Sequence, residues 1–288
     1  MQVAEPGRGV VTIGGGAEDP SASNERLPRD YPRLRRVLRR LLLRVGNVRR
    51  IHIIGCSRSG TSMFQLSLQA FHNVRMCARE TNAVHFPSLR EAQEMALRRT
   101  REPRFYVTKR QSQWHRPAVL DALRRECLRE QVALIHLVRD PRDVMTSRHR
   151  GSADSEGYYV DERLWERSIR AADELFAAVE GRVPALHLRY EDVVLAPDES
   201  IRKLSSTFGL RLRDDVTSWA ALTTYVRQTS RELVDAMHGI RDIDARSLGR
   251  WRKDPSAVRH VEFLLERSSI APQLRAFLTR FRYENSGP

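Results

Sequence analysis

The stretch from Ile51 to Phe64 restricts this chain to few folds. Ile51-His52-Ile53-Ile54 is a short β-branched run and predicts a buried strand. Gly55, Ser57, Ser59 and Gly60 then turn the chain. From Thr61 onward, Phe64, Leu68 and Phe71 recur at helical spacing and predict a helix. A strand that feeds a helix through a glycine-bounded loop presents unpaired backbone N–H groups at the helix start. The helix dipole and the successive loop amides make that junction attractive to an anion.

Gly55 and Gly60 have the spacing of the nucleoside-triphosphate loop. Thr61 stands where that loop has its lysine, and Arg58 lies inside the loop instead. The pattern predicts a phosphate loop that lacks the usual ATP lysine. Further strands are predicted at 74–77, 104–108, 133–138 and 186–190. Helices are predicted between and after them, at 88–100, 117–129, 161–180, 198–208, 255–267 and 272–281. This alternation predicts an α/β chain: a three-layer P-loop-type fold, with a mostly parallel central sheet and helices on both faces. Ligands in such sheets bind beyond the strand C-termini. Gly55, Glu80, Lys109, Arg139 and Tyr190 all fall at or just past a predicted strand end. Residues 150–160 predict a mobile loop, and 226–249, without clear period, a lid.

Four stretches carry a family resemblance. Gly55-Cys56-Ser57-Arg58-Ser59-Gly60-Thr61-Ser62 resembles the 5′-phosphosulfate loop of the sulfotransferases, which use 3′-phosphoadenosine 5′-phosphosulfate (PAPS). Arg139 ends a predicted strand and Ser147 follows eight residues on, like the family's 3′-phosphate pair, whose serine lies in the next helix. Tyr190-Glu191-Asp192 is similar to the family's Tyr-Glu-Asp element, whose tyrosine lies near the adenine. Gly249-Arg250-Trp251 resembles its Gly-X-Trp segment. The four occur in the family's order and extend over about residues 48–285.

The resemblance implies a PAPS-dependent sulfotransferase that works by in-line transfer and requires no metal. It assigns Arg58, Ser59, Gly60, Thr61 and Ser62 to the 5′-phosphate, Arg139 and Ser147 to the 3′-phosphate, and Tyr190 to the adenine side. Arg58 and Lys109 would stabilise the leaving oxygen, and Glu80 would be the base. Glu80-Thr81 resembles the Glu-Thr pair of the tyrosylprotein sulfotransferases. The cytosolic enzymes use a histidine in a Lys-Thr-His segment, whereas Val107-Thr108-Lys109 has none, and His85 and His115 stay open as alternatives. The implied acceptor is a small molecule, glycan, lipid or peptide bearing a hydroxyl or amine. A kinase or NTPase is the first rival, and a basic nucleic-acid or membrane-surface binding protein the second.

The net charge of +14 fits an anionic ligand. Lysine occurs only at Lys109, Lys203 and Lys253 among 50 basic residues, and the arginines spread along the whole chain. That distribution argues against a specific nucleic-acid footprint. Cys56, Cys77 and Cys127 are odd in number and widely spaced, which fits neither a disulfide framework nor a zinc site. A reducing, cytoplasmic setting is the expectation. Residues 1–30 predict a mobile tail, and 31–288 a single domain. Pro32 predicts a helix start. Leu34, Val37, Leu38, Leu41, Leu42 and Val45 form its apolar stripe, and arginines fill the other face. That stripe predicts packing on the domain with the basic face in solvent. Peripheral membrane contact through 33–44 is the alternative.

Overall fold

Apolar residues that alternate along two central strands place one hydrophobic core on each face of the sheet. The computed structural model describes residues 13–14, 32–77, 87–98, 103–109, 113–148, 157–227, 229–231, 234, 237 and 239–283. Its main sheet consists of β1 (Val48–Ile54), β2 (Val74–Met76), β3 (Arg104–Lys109), β4 (Ala133–Val138) and β5 (Ala185–Arg189). The order is β2-β3-β1-β4-β5 and every neighbouring pair is parallel. All strands therefore end on one side. The register sets Ile53 opposite Lys109, Ile54 opposite His136 and Val138 opposite Arg189.

Ile51, Ile53, Ile135, Leu137 and Leu188 belong to one core. It is covered by α2 (Thr61–Ser67) through Phe64 and Leu66, and by α8 (Pro197–Phe208) through Leu204 and Phe208. Ile54 and Leu134 point to the other face. There they meet Leu123 and Cys127 of α4 (Pro117–Glu130), and Ala171, Leu175 and Val179 of α6 (Glu162–Val179). This is the three-layer α/β arrangement expected of the alternating pattern. A third cluster joins Val144 of α5 (Pro141–Met145) and Trp165 to Leu264 of α10 (Pro255–Glu266) and to Leu274 and Phe277 of α11 (Ala271–Arg280). The remaining helices are α1 (Pro32–Val45), α3 (Leu89–Leu97), α7 (Tyr190–Leu195) and the short α9 (Leu222–Tyr225).

Three local expectations change. Tyr190 does not end β5 but starts α7, because the strand stops at Arg189. Ser147 is not in a helix: α5 ends at Met145, two residues earlier. Of the stripe of α1 only Leu42 packs on the domain. Leu34, Val37, Leu38, Leu41 and Val45 are 41–60% exposed, and the helix is held by its other side. Leu43 is buried with Cys77, Ala92, Met95 and Tyr106, with Leu42 packed against them. Of the tail, Ile13–Gly14 pairs with Thr229–Ser230, and the rest of 1–30 lies outside the described residues, as do 149–156. Among the described residues no helix is long and apolar enough to cross a membrane. The three cysteines are buried free thiols, and burial pushes Cys56 and Cys127 up to about 12.

β4 and β5 are also joined by His136 and His187, whose Nδ1 atoms are 3.1 Å apart. Phe176 stacks on His187 at 4.0 Å. Burial, then the His187 charge, holds His136 well below its ordinary value. Burial, then Arg280, lowers His187 to about 4. Both folded values lie below the unfolded one. The neutral pair therefore contributes stability above 6.5 that is lost as pH falls toward about 4. The melting temperature should drop as the pH is lowered from about 7.5 to about 5. His136→Val/His187→Phe should flatten that slope, as measured by thermal denaturation across the series.

Candidate active site

The loop after β1 is shaped by two glycines and one strained arginine. A Cβ on Gly55 would lie 2.8 Å from the carbonyl oxygen of Leu137, so glycine lets the loop start close against β4. The indole N–H of Trp114 donates to the Gly55 carbonyl at 3.0 Å and fixes this start. The Ser59 amide then donates to Cys56 O at 3.1 Å and closes the turn. Arg58 has φ 70° and Gly60 φ 85°, both left-handed. For Gly60 this region is freely allowed. Arg58 is held there against its preference, at a cost of about 1–2 kcal/mol.

Tyr190, the first residue of α7, packs its ring against Gly60. A Cβ at Gly60 would stand 2.5 Å from the Tyr190 Cδ2. The same ring carries the Arg139 guanidinium, with Cζ 4.6 Å from its centroid. Its hydroxyl meets Ser247 Oγ at 2.9 Å. Arg139 follows β4 and donates from Nη1 to the Arg58 carbonyl at 3.2 Å and from Nη2 to the Ser247 carbonyl at 2.5 Å. Arg58 donates from Nε to Ser147 Oγ at 2.8 Å. The hydroxyl of Ser147 is thus oriented by Arg58 and keeps its own proton to donate.

Burial, then the neighbouring Arg139 charge, lowers the Arg58 pKa, and Arg250 and Arg241 act in the same direction. Several guanidiniums therefore share one end of the sheet. The Asp143 carboxylate lies 3.5 Å from Arg139 and offsets part of that charge. Asp143 also accepts from the Gly249 and Trp251 amides at 2.8 and 3.3 Å, which secures 249–251 over the site. Lys109, the last residue of β3, is buried and donates from Nζ to Ser62 Oγ at 2.6 Å. Glu191, beside Tyr190, has a structural place: it accepts from the Asp140 amide at 3.0 Å and from the Tyr283 hydroxyl at 2.7 Å, and burial raises its pKa.

The structure thus brings Arg58, Ser59, Gly60, Thr61, Ser62, Lys109, Arg139, Ser147 and Tyr190 to the C-terminal side of the sheet. Glu80, Thr81 and His85 lie outside the described residues. His115 lies edge-on to Trp114 under the loop, with ring centroids 6.4 Å apart. Among the described residues no three His, Cys, Asp or Glu side chains form a metal-holding group. Asp143 and Ser247 were missed from the sequence. Asp143 was within reach, since it sits four residues after Arg139 at the start of a helix. Ser247 had no local signal. A cavity of about 530 Å³ runs along the free edge of β2, from Asn73 to Cys77, and Tyr225 and Thr229 line its far side.

Fold and site together define a P-loop-type α/β protein with several arginines gathered at the C-terminal end of its sheet. Residues 120–215 match the family model described as the Sulfotransferase family. The matched third of the chain contains Arg139, Ser147 and Tyr190, and it supports sulfuryl transfer as the activity. The phosphate loop, Glu80 and Lys109 precede it. No curated relative matches the chain. Two solved structures are similar to it at low identity. The sulfotransferase domain from the curacin biosynthetic pathway has a TM-score of 0.48 at 16% identity, over 75% of this chain and 97% of that one. Mouse sulfotransferase SULT7A1 complexed with PAP has a TM-score of 0.42 at 13% identity, over 82% of this chain and 93% of that one.

Gly60→Ala should drive a methyl group into the Tyr190 ring at a backbone angle unfavourable to alanine. The expected loss of stability is about 2 kcal/mol or more. Tyr190→Ala in the same chain should relieve part of it, so the double variant should be less destabilised than the sum of the two single changes. Denaturant titration of the four proteins measures this directly.

Proposed function

We propose that this chain transfers a sulfuryl group from PAPS to a hydroxyl or amine. One observation carries the reading: in a loop that has no ATP lysine, Arg58 holds Ser147 with its side chain and Arg139 with its carbonyl. The residues suit such a donor. Like-charged guanidiniums held together are stabilised by an anion with several negative charges. Arg58, with the loop from Ser59 to Ser62, would hold the 5′-phosphate. Arg139 and Ser147 would hold the 3′-phosphate. Tyr190 is buried between Gly60 and Arg139, so its contribution to nucleotide binding would be to hold Arg139 in place.

The donor would supply the sulfuryl group and the phosphate leaving group. The transfer breaks one S–O bond, forms another, and leaves the electron pair on the phosphate oxygen. Arg58 remains charged throughout, because a guanidinium is not deprotonated in proteins. It would therefore stabilise the leaving oxygen by charge and not by donating its proton. Lys109, held at Ser62, would bind the bridging side. Glu80 would take the acceptor's proton.

We place the acceptor in the cavity beside β2. Cys77 is among its lining residues, and the Cys77 carbonyl accepts from Gln65 of α2 at 3.1 Å. Arg75, Arg98, Arg104, Arg213 and Arg227 line it, against one carboxylate, Glu94. An acceptor that carries negative charge fits this lining better than a neutral one.

Thermal shift with 3′-phosphoadenosine 5′-phosphate, ATP, ADP and 5′-AMP tests the nucleotide. The 3′-phosphate compound should stabilise most, and magnesium chelation should change nothing. Stabilisation by ATP with magnesium alone would replace this reading with a kinase. Arg139→Ala should weaken the 3′-phosphate compound roughly tenfold or more and leave 5′-AMP little changed. Arg58→Ala should lower turnover roughly 10²–10³-fold, and Arg58→Lys should restore part of it. Glu80→Gln should lower turnover roughly 10²–10⁴-fold, with nucleotide affinity nearly unchanged. Steady-state kinetics with a sulfated product readout separates these effects.

A further inference from the structure

We infer that α1 is a docking surface for an anionic lipid membrane. Leu34, Val37, Leu38, Leu41 and Val45 lie at i, i+3, i+4, i+7 and i+11, which puts them on one face of the helix. They are five of the nine exposed large hydrophobics among the described residues. A surface helix of a globular protein normally buries such a stripe. Here the helix is already anchored by other groups. Leu43 is buried, the Gly46 backbone touches Met95 and Ala96, and Arg40 pairs with Glu130. The apolar stripe is therefore surplus to the packing of the domain. Leu97, next to Ala96, is 86% exposed and adds to the apolar surface at that end.

Charge selects the occupant. The helix contains six arginines and no acidic residue. Arg35 and Arg44 flank the stripe on its two sides, Arg35 partly exposed and Arg44 exposed. A second copy of the chain would bring the same arginines against one another with no carboxylate on either helix. A neutral apolar partner would leave them unpaired. An anionic bilayer satisfies both features, since leucine and valine enter the acyl boundary while the arginines reach the phosphates. The net charge of +14 attracts the whole chain to such a surface. This inference is independent of the nucleotide reading, because α1 contributes none of the residues around the phosphate loop.

Vesicle flotation of the full chain tests it. The vesicles are phosphatidylcholine alone, or phosphatidylcholine with about 30% phosphatidylserine. The chain should float with the anionic vesicles only, and less so as salt is raised. Leu38→Gln/Leu41→Gln should lower the bound fraction roughly tenfold or more, with the melting temperature unchanged since both positions are exposed. Arg35→Gln/Arg44→Gln should remove the preference for phosphatidylserine. Leu41→Trp should shift its emission to the blue on anionic vesicles, which reports insertion directly. No flotation with anionic vesicles overturns the inference, as does flotation that neither double variant reduces. So does a dimer in sedimentation velocity that Leu38→Gln/Leu41→Gln dissociates, since a second copy then covers the stripe.

Discussion

The site depends on the contact between Tyr190 and a residue with no side chain. Gly60 leaves the space into which the ring fits, and the ring carries Arg139 on its face. From Arg139 the contacts run to the Arg58 carbonyl, to Ser247 and to Asp143, and Asp143 fixes the 249–251 segment. A side chain at position 60 would move the ring and with it the arginine. Close packing makes such a chain of contacts stiff, because no neighbour has slack to absorb the shift.

The second constraint is electrostatic. Arg58 is half-buried, strained at φ 70° and next to another guanidinium. Each of these costs free energy in the protein alone. Water screens the repulsion only in part at a half-buried position. An arrangement of this kind is stabilised by a multivalent anion, and the parallel sheet is what assembles it here. Its strands deliver the phosphate loop, Lys109, Arg139 and Tyr190 to a single end without any of them being neighbours in sequence. Asp143 offsets part of the charge through its ion pair with Arg139.

The helix α1 shows where periodicity and packing part. Its stripe was legible as the strongest apolar face, yet the domain uses the opposite side, with Leu43 and the small Gly46 at the contact. Gly46, just past the end of α1, permits close approach to the Met95–Ala96 backbone of α3 on that side. A sequence pattern records that a face is apolar. It does not record what covers that face.

Local features were fixed by local chemistry. Short apolar runs gave the strands, Pro32, Pro117, Pro141, Pro197 and Pro255 opened helices, and glycine spacing gave the loop after β1. The positions of Lys109, Arg139 and Tyr190 at or just past strand ends followed from the same patterns, as did the parallel sheet. Tertiary structure alone decided the rest. Ser247 meets Arg139 across 108 residues of chain, and Asp143 meets Gly249 across 106. Tyr190 became a buried brace because Gly60 happened to face it. Ser147 fell outside its helix because α5 stopped after five residues. Propensity and period act over a few residues, whereas these contacts arise only once the sheet has brought distant strand ends together.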